Sequence, residues 1–198
     1  MRKIVVNTNL IKKAEVFKIM ALAESIGSPV LLIGEPGTGK TATVLDYAKA
    51  SQGKLGDEDV FILETDEGTK SNAVKGQVDL EKLHSENKVV KNSPVTRAKF
   101  VVINEVDKAS AGLRNSLLGI MNEKVLFDGS SKVPCQWKTF VATCNKIPDD
   151  EIGNPFWDRF LITFKVDRLR QNDLLNYFDK GGKDAVFTYK CNLPEKQD

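Results

Sequence analysis

Short apolar runs alternate with helical patterns along this chain, the signature of a parallel sheet with crossover helices. Between Ile11 and Ile26 apolar residues recur at helical spacing (Ile11, Ala14, Phe17, Met20, Ala21), and Gly27-Ser28-Pro29 stops that helix. Val30-Leu31-Leu32-Ile33 is uniformly apolar, which predicts a strand covered on both faces. A helix is expected from about Thr41 to Ser51, then a second strand over Val60 to Thr65. Phe100 to Ile103 reads as a third strand, Thr139 to Thr143 as a fourth and Phe160 to Val166 as a fifth. Ser110 is placed to cap a helix running to Asn122, with Leu113, Leu117, Ile120 and Met121 on one face. Val125 to Ser130 predicts a strand entering a turn, because Asp128-Gly129 supplies the positive φ that hairpins need.

Two stretches depart from this alternation. Asp66 to Thr96 is polar with few apolar anchors, long for a plain connection, so it is functional or carries short elements of its own. After the fifth strand one amphipathic helix is expected over Gln171 to Phe178, ended by Gly181-Gly182, and the tail beyond it is weakly patterned.

Composition narrows the classes. At 198 residues, 41% hydrophobic and 28% charged, the chain suits one globular α/β domain with its own core. Acids and bases are interspersed and the formal net charge is +2, so there is no electrostatic case for nucleic acid or an anionic membrane as the main partner. The N-terminal segment lacks the apolar stretch of a signal peptide, and no run approaches the ~18 apolar residues of a membrane span. The three cysteines, Cys135, Cys144 and Cys191, fit neither a disulfide framework nor a CxxC metal site, which implies a reduced, cytoplasmic setting. His84 is the single histidine, expected at the surface of a polar segment, and it makes a histidine-rich metal site or a Ser-His-Asp triad unsuitable readings.

The chemistry begins directly after the first buried strand, at Gly34-Glu35-Pro36-Gly37-Thr38-Gly39-Lys40-Thr41. Glycines let the backbone curl so that its N–H groups point at phosphates, and the helix that follows adds its positive end. Lys40 is placed to reach the β and γ phosphates and the Thr41 hydroxyl to ligate magnesium, so ATP and Mg2+ are the expected cofactors. Asn104-Glu105 ends the third strand, where parallel sheets open onto a crevice. Asn104 is the expected metal-side residue, and Glu105 the candidate to orient or deprotonate the attacking water. Asp107 is close by, with helix capping as its other role. Asn145, after the fourth strand, is either a turn residue or a donor to the γ-phosphate or the water. Arg159, in Asp158-Arg159-Phe160, is either a transition-state arginine supplied to a neighbour or half of a salt bridge with Asp158.

These pieces, in this order, resemble the AAA+ ATPases, and most of all the MoxR-type group with its helix 2 insert; MCM helicases and other ring ATPases are more distant in likeness. The carrying segments are Leu31 to Thr41, Val102-Ile103-Asn104-Glu105-Val106-Asp107-Lys108-Ala109, Leu117 to Glu123, Val141 to Asn145 and Asp158-Arg159-Phe160. The resemblance implies an α/β P-loop NTPase fold with a five-stranded parallel core sheet in the order 5-1-4-3-2 and flanking helices. It implies Walker A at Gly34 to Thr41, Walker B at Asn104-Glu105, sensor 1 at Asn145 and an arginine finger at Arg159. Residues 1–166 would form the nucleotide-binding core, with 66–96 as the helix 2 insert, and residues 167–198 a lid reduced to one helix and a tail, or no lid at all. The implied partners are further copies in a ring, usually of six, and a protein client or partner chain. The implied function is ATP hydrolysis that remodels a protein. The alternatives are a nucleic-acid motor or loader, using Lys70, Lys75, Lys82, Lys88, Lys91 and Arg97 near the insert, and a nucleotide-gated structural subunit with weak hydrolysis. Asn104 departs from the family, which usually has Asp there, and no residue matches the lid's second sensor arginine.

Overall fold

The computed structural model describes residues 2–8, 13–51, 56–78, 91–128, 131–168 and 185–191. The strands are β1 (Arg2–Thr8), β2 (Val30–Ile33), β3 (Val60–Glu64), β4 (Gln77–Val78), β5 (Lys91–Asn92), β6 (Phe100–Asn104), β7 (Val125–Asp128), β8 (Ser131–Pro134), β9 (Thr139–Cys144), β10 (Ile162–Lys165) and β11 (Ala185–Cys191). The helices are α1 (Lys13–Ile26), α2 (Lys40–Ser51), α3 (Asn72–Lys75), α4 (Pro94–Arg97) and α5 (Ala111–Asn122). None of the described helices is long and apolar enough to cross a membrane.

Five strands form one parallel sheet in the order β10-β2-β9-β6-β3. Counted along the core alone, this is the 5-1-4-3-2 order that the family resemblance implies. The three inner strands have both faces covered: β6 and β9 are buried along their whole length and β2 nearly so. The edge strands β3 and β10 alternate between half-buried and exposed positions. Uniform apolar runs mark the centre of such a sheet because helices cover both faces.

Successive strand residues point to opposite faces, so each inner strand feeds two cores. Val30, Leu32, Val102 and Val141 join Phe17 and Met20 of α1 and Val44 and Tyr47 of α2. Leu31, Val101, Ile103 and Ala142 join Leu113, Leu117 and Ile120 of α5, together with Trp137, Phe156 and Trp157. Helix α5 starts as the sequence predicts: the Ser110 side chain accepts from Leu113 N, and its hydroxyl donates to Thr69 O at 3.0 Å.

The polar stretch after β3 carries short elements, α3, β4, β5 and α4, with β4 and β5 paired antiparallel. The expected hairpin forms from β7 and β8. Two strands have no counterpart in the sequence reading: β1 and β11 pair antiparallel from Arg2↔Cys191 to Thr8↔Ala185. Residues 185–191 are therefore tied to residues 2–8. The helix expected over Gln171 to Phe178, His84 and the lysines Lys82 and Lys88 lie outside the described residues.

Candidate functional site

The carboxyl ends of the inner strands open on one cleft of about 270 Å³. Its lining includes Pro36 to Ala42 on one side and Glu64, Asn104, Glu105, Thr143 and Asn145 on the other. Four of the strands supply these residues or the loops that follow them.

The loop between β2 and α2 is shaped by its glycines. Gly37 and Gly39 have φ of 78° and 77°, a backbone region that side chains disfavour. Gly34 faces a different constraint: a Cβ there would strike the carbonyl of Val166, which runs past it beside β10. Gly34 N donates to Cys144 O at 3.1 Å and Val166 N to Ile33 O at 2.7 Å, so the loop leaves the sheet held from both flanking strands. Glu35 forms an exposed ion pair with Arg168.

Lys40, the first residue of α2, is buried. Its ammonium donates to Gly34 O, to Glu35 O at 3.1 Å and to Asn145 Oδ1 at 3.4 Å. Burial holds the Lys40 pKa below its ordinary value, opposed by the nearby Cys144, Asp107 and Glu105. Thr41 Oγ1 donates to Asn104 Oδ1 at 3.1 Å. Thus Walker A, Walker B and sensor 1 candidates meet through Lys40 and Thr41.

Asn104 is 1% exposed, and its Oδ1 also accepts from Thr143 Oγ1 at 3.1 Å. Its Nδ2 donates to Glu64 Oε1, at the tip of β3. Glu64 was missed in the sequence. Its strand reads as apolar up to a terminal acid, and only the β3–β6 register, with Glu64 opposite Asn104, brings it to the cleft. The usable signal was its place at a carboxyl end in a parallel sheet.

Glu105 is left-handed, with φ 56° and ψ 41°. A non-glycine residue there costs on the order of 1 kcal/mol or more, and surrounding bonds must hold it. Thr143 Oγ1 accepts from Glu105 N at 3.3 Å, and Thr65 Oγ1 donates to Glu105 O at 2.6 Å. The turn swings the carboxylate to the cleft, where Lys108 Nζ meets it at 2.6 Å. That pair is exposed on both sides and contributes little to stability. Asp107 lies in the short 3-10 turn Val106–Lys108 and does not cap α5, a role that Ser110 takes; its Oδ1 is buried and has no hydrogen-bond partner among the described residues.

Arg159 does not line this cleft. It is exposed, as is Asp158, and the two form no ion pair among the described residues. The segment that carries it is anchored by its neighbours: Trp157 Nε1 donates to Glu151 Oε2 at 2.9 Å, Glu151 also pairs with Arg114 of α5, and Phe156 stacks edge-on with Trp157 and Phe160.

A model of the MoxR domain in the MoxR-vWA-beta-propeller ternary systems matches residues 2–191. Structural protein ORF618 of Acidianus two-tailed virus is 32% identical over 142 residues, which are 69% of this chain and 22% of the viral protein. A Dictyostelium discoideum protein assigned as replication factor C subunit 2 is 25% identical over 176 residues, 83% of this chain and 47% of that protein. The chain thus spans less than half the length of these curated relatives. Among solved structures, one from Cytophaga hutchinsonii assigned as an ATPase superposes with a TM-score of 0.61 at 21% identity, over 86% of this chain and 51% of that one. NtrX from Brucella abortus, in complex with ADP, superposes with a TM-score of 0.59 at 12% identity, over 84% and 38%.

Proposed function

Because the chain belongs to the MoxR family of AAA+ ATPases, we propose that it binds ATP with magnesium in the cleft at the strand ends and hydrolyses it as one subunit of a ring. The observation that carries this reading is the convergence of Lys40, Thr41, Asn104, Glu105 and Asn145 on one cleft from separate segments of the chain.

The donor set fits magnesium. Thr41, Asn104, Glu64 and Glu105 offer only hard oxygens, and no group of three or more His, Cys, Asp or Glu gathers among the described residues. Such a set suits a cation shared with phosphates and water rather than an all-protein cage. Thr41 would hold it, with Asn104 positioning the Thr41 hydroxyl, and when bound it would neutralise charge on the β and γ phosphate oxygens.

The remaining work falls to the protein. Loop N–H groups and the start of α2 take the phosphates, and Lys40 exchanges carbonyl acceptors for phosphate oxygens. Glu105 orients a water and receives its proton as the water oxygen bonds to the γ-phosphorus. The bond from that phosphorus to the bridging oxygen breaks, leaving ADP and inorganic phosphate. With Oδ1 engaged by Lys40, the Asn145 amide hydrogens are left to donate to the γ-phosphate or the water. Arg159 serves the cleft of an adjacent copy, which its exposure permits.

Residues 1–166 act as the core, with 66–96 as its insert, and 167–198 as a reduced lid and tail. The ring works on a protein partner, and a chain with a vWA or β-propeller domain fits the systems for which the family is described. Cys135 and Cys144 are free and buried, as suits a cytoplasmic protein.

The test is steady-state ATP hydrolysis against protein concentration, for the parent, Lys40→Ala and Arg159→Ala. Activity that rises with concentration and vanishes in both variants is expected. A second reading, a subunit that binds ATP and hardly turns it over, is favoured by the neutral Asn104 in the Walker B position. ATP binding without hydrolysis at any concentration would establish it and overturn the first.

A further inference from the structure

Asn104 spends its amide on three partners, and each constrains the next. The Glu64 carboxylate only accepts hydrogen bonds, so the amide nitrogen must face it, at 2.5 Å. That turns Oδ1 toward the hydroxyls of Thr41 and Thr143, both at 3.1 Å. The Thr41 hydrogen is thereby committed to Asn104, and its oxygen lone pairs remain for the cleft. An aspartate at this position would accept from Thr41 equally well and would also bring negative charge. It would bring it against Glu64, however, and two carboxylates at hydrogen-bond distance resist being ionised together.

We propose that the charge of the metal-side position has moved one strand sideways: Glu64 supplies the carboxylate toward the cation, and Asn104 keeps only the tasks of accepting from Thr41 and orienting Glu64. The proposal rests on the reading of the cleft as a magnesium–ATP site. It makes Asn104 the matched partner of a displaced charge rather than a weakened aspartate. Exchanging the acid and the amide between the two positions would leave the formal charge of the pair unchanged.

The experiment is equilibrium binding of a fluorescent ADP analogue with magnesium or with EDTA, read as the gain in affinity that magnesium gives. Four proteins are compared: the parent, Glu64→Gln, Asn104→Asp and the double exchange Glu64→Gln/Asn104→Asp. Glutamine at 64 keeps an acceptor for Asn104 Nδ2 and removes only the charge. The magnesium gain is expected to fall by roughly 10- to 100-fold in Glu64→Gln, with affinity in EDTA unchanged or higher. The double exchange restores the gain, and Asn104→Asp alone does not exceed the parent. A Glu64→Gln protein with the parent's magnesium gain overturns the proposal, as does an Asn104→Asp protein that surpasses the parent. The Asn104→Asp result decides the matter even where Glu64→Gln fails to fold. A parent that binds the nucleotide in neither condition overturns the ATP-site reading itself.

Discussion

The two walls of the cleft are built by different rules. The phosphate-side wall is one continuous segment, 34–41, whose tools are backbone: N–H groups, positive φ at Gly37 and Gly39, and the start of a helix. The opposite wall is assembled from side chains on β3, β6 and β9, far apart in sequence and joined by hydrogen bonds among Glu64, Asn104, Thr65, Thr143 and Glu105. A backbone device tolerates few changes and looks alike wherever it occurs. A side-chain device can redistribute charge between strands while its geometry stays in place. The first wall should therefore govern whether nucleotide binds at all, and the second its metal ion and its turnover.

The comparison breaks most visibly at Glu105. Glu105→Gln is expected to leave ATP binding intact and to cut turnover by about 10²- to 10⁴-fold; equal losses of binding and turnover would merge the two walls into one unit. A smaller effect, still confined to the second wall, is expected at Thr143. Thr143→Val removes the acceptor of Glu105 N and one of two donors to Asn104 Oδ1, leaving the Glu105 N–H unsatisfied at a cost of about 1–3 kcal/mol. Chemical denaturation should show that loss, with a lower kcat and nucleotide affinity close to the parent's.

An effect confined to alkaline pH, absent under ordinary conditions, lies beneath the first wall, where Cys144 O receives the Gly34 N–H. Burial pushes the Cys144 thiol from 9.0 to about 12. A group whose folded pKa is raised lends stability that is complete below its unfolded pKa and is lost as pH climbs toward the folded one. The folded state should therefore weaken between pH 9.0 and about 12, by ~1.4 kcal/mol per pH unit from this thiol. Cys135, pushed up to about 11, acts in the same direction, and Lys40, held low by burial, acts in the opposite one. The slope of stability against pH in the parent minus that in Cys144→Ala isolates the Cys144 share. Equal slopes would mean that the thiol ionises in place.

What could be read from the sequence follows the same division. The phosphate loop, the inner strands and the Ser110 cap are contiguous signals: a glycine pattern, an unbroken apolar run, a serine before a helical period. Asn104, Glu105 and Asn145 were reachable because each lies at the end of an inner strand. Glu64 ends an edge strand, and an acid after an exposed-alternating run looks like a solvated residue until the register with β6 is known. The left-handed turn at Glu105 was equally hidden, since its support comes from threonines about 40 residues away on either side. The β1–β11 ribbon escaped notice because neither strand enters the main sheet, and a two-stranded pair needs no strong apolar run.

The place of β2 in the sheet also bears on how the protein is made. Its neighbours are β9 and β10, and Val30 pairs with Val141, more than a hundred residues later. During synthesis the strand that presents the candidate phosphate loop emerges before both of its partners and waits unpaired while the hundred-odd intervening residues are translated, roughly 5–20 s at ordinary elongation rates. For that interval Val30-Leu31-Leu32-Ile33 is an unpartnered apolar edge with only α1 and α2 to shelter it. The strand that presents the candidate phosphate loop is thus also an exposure to misassembly in the nascent chain, and α1 and α2 double as its escort on the ribosome.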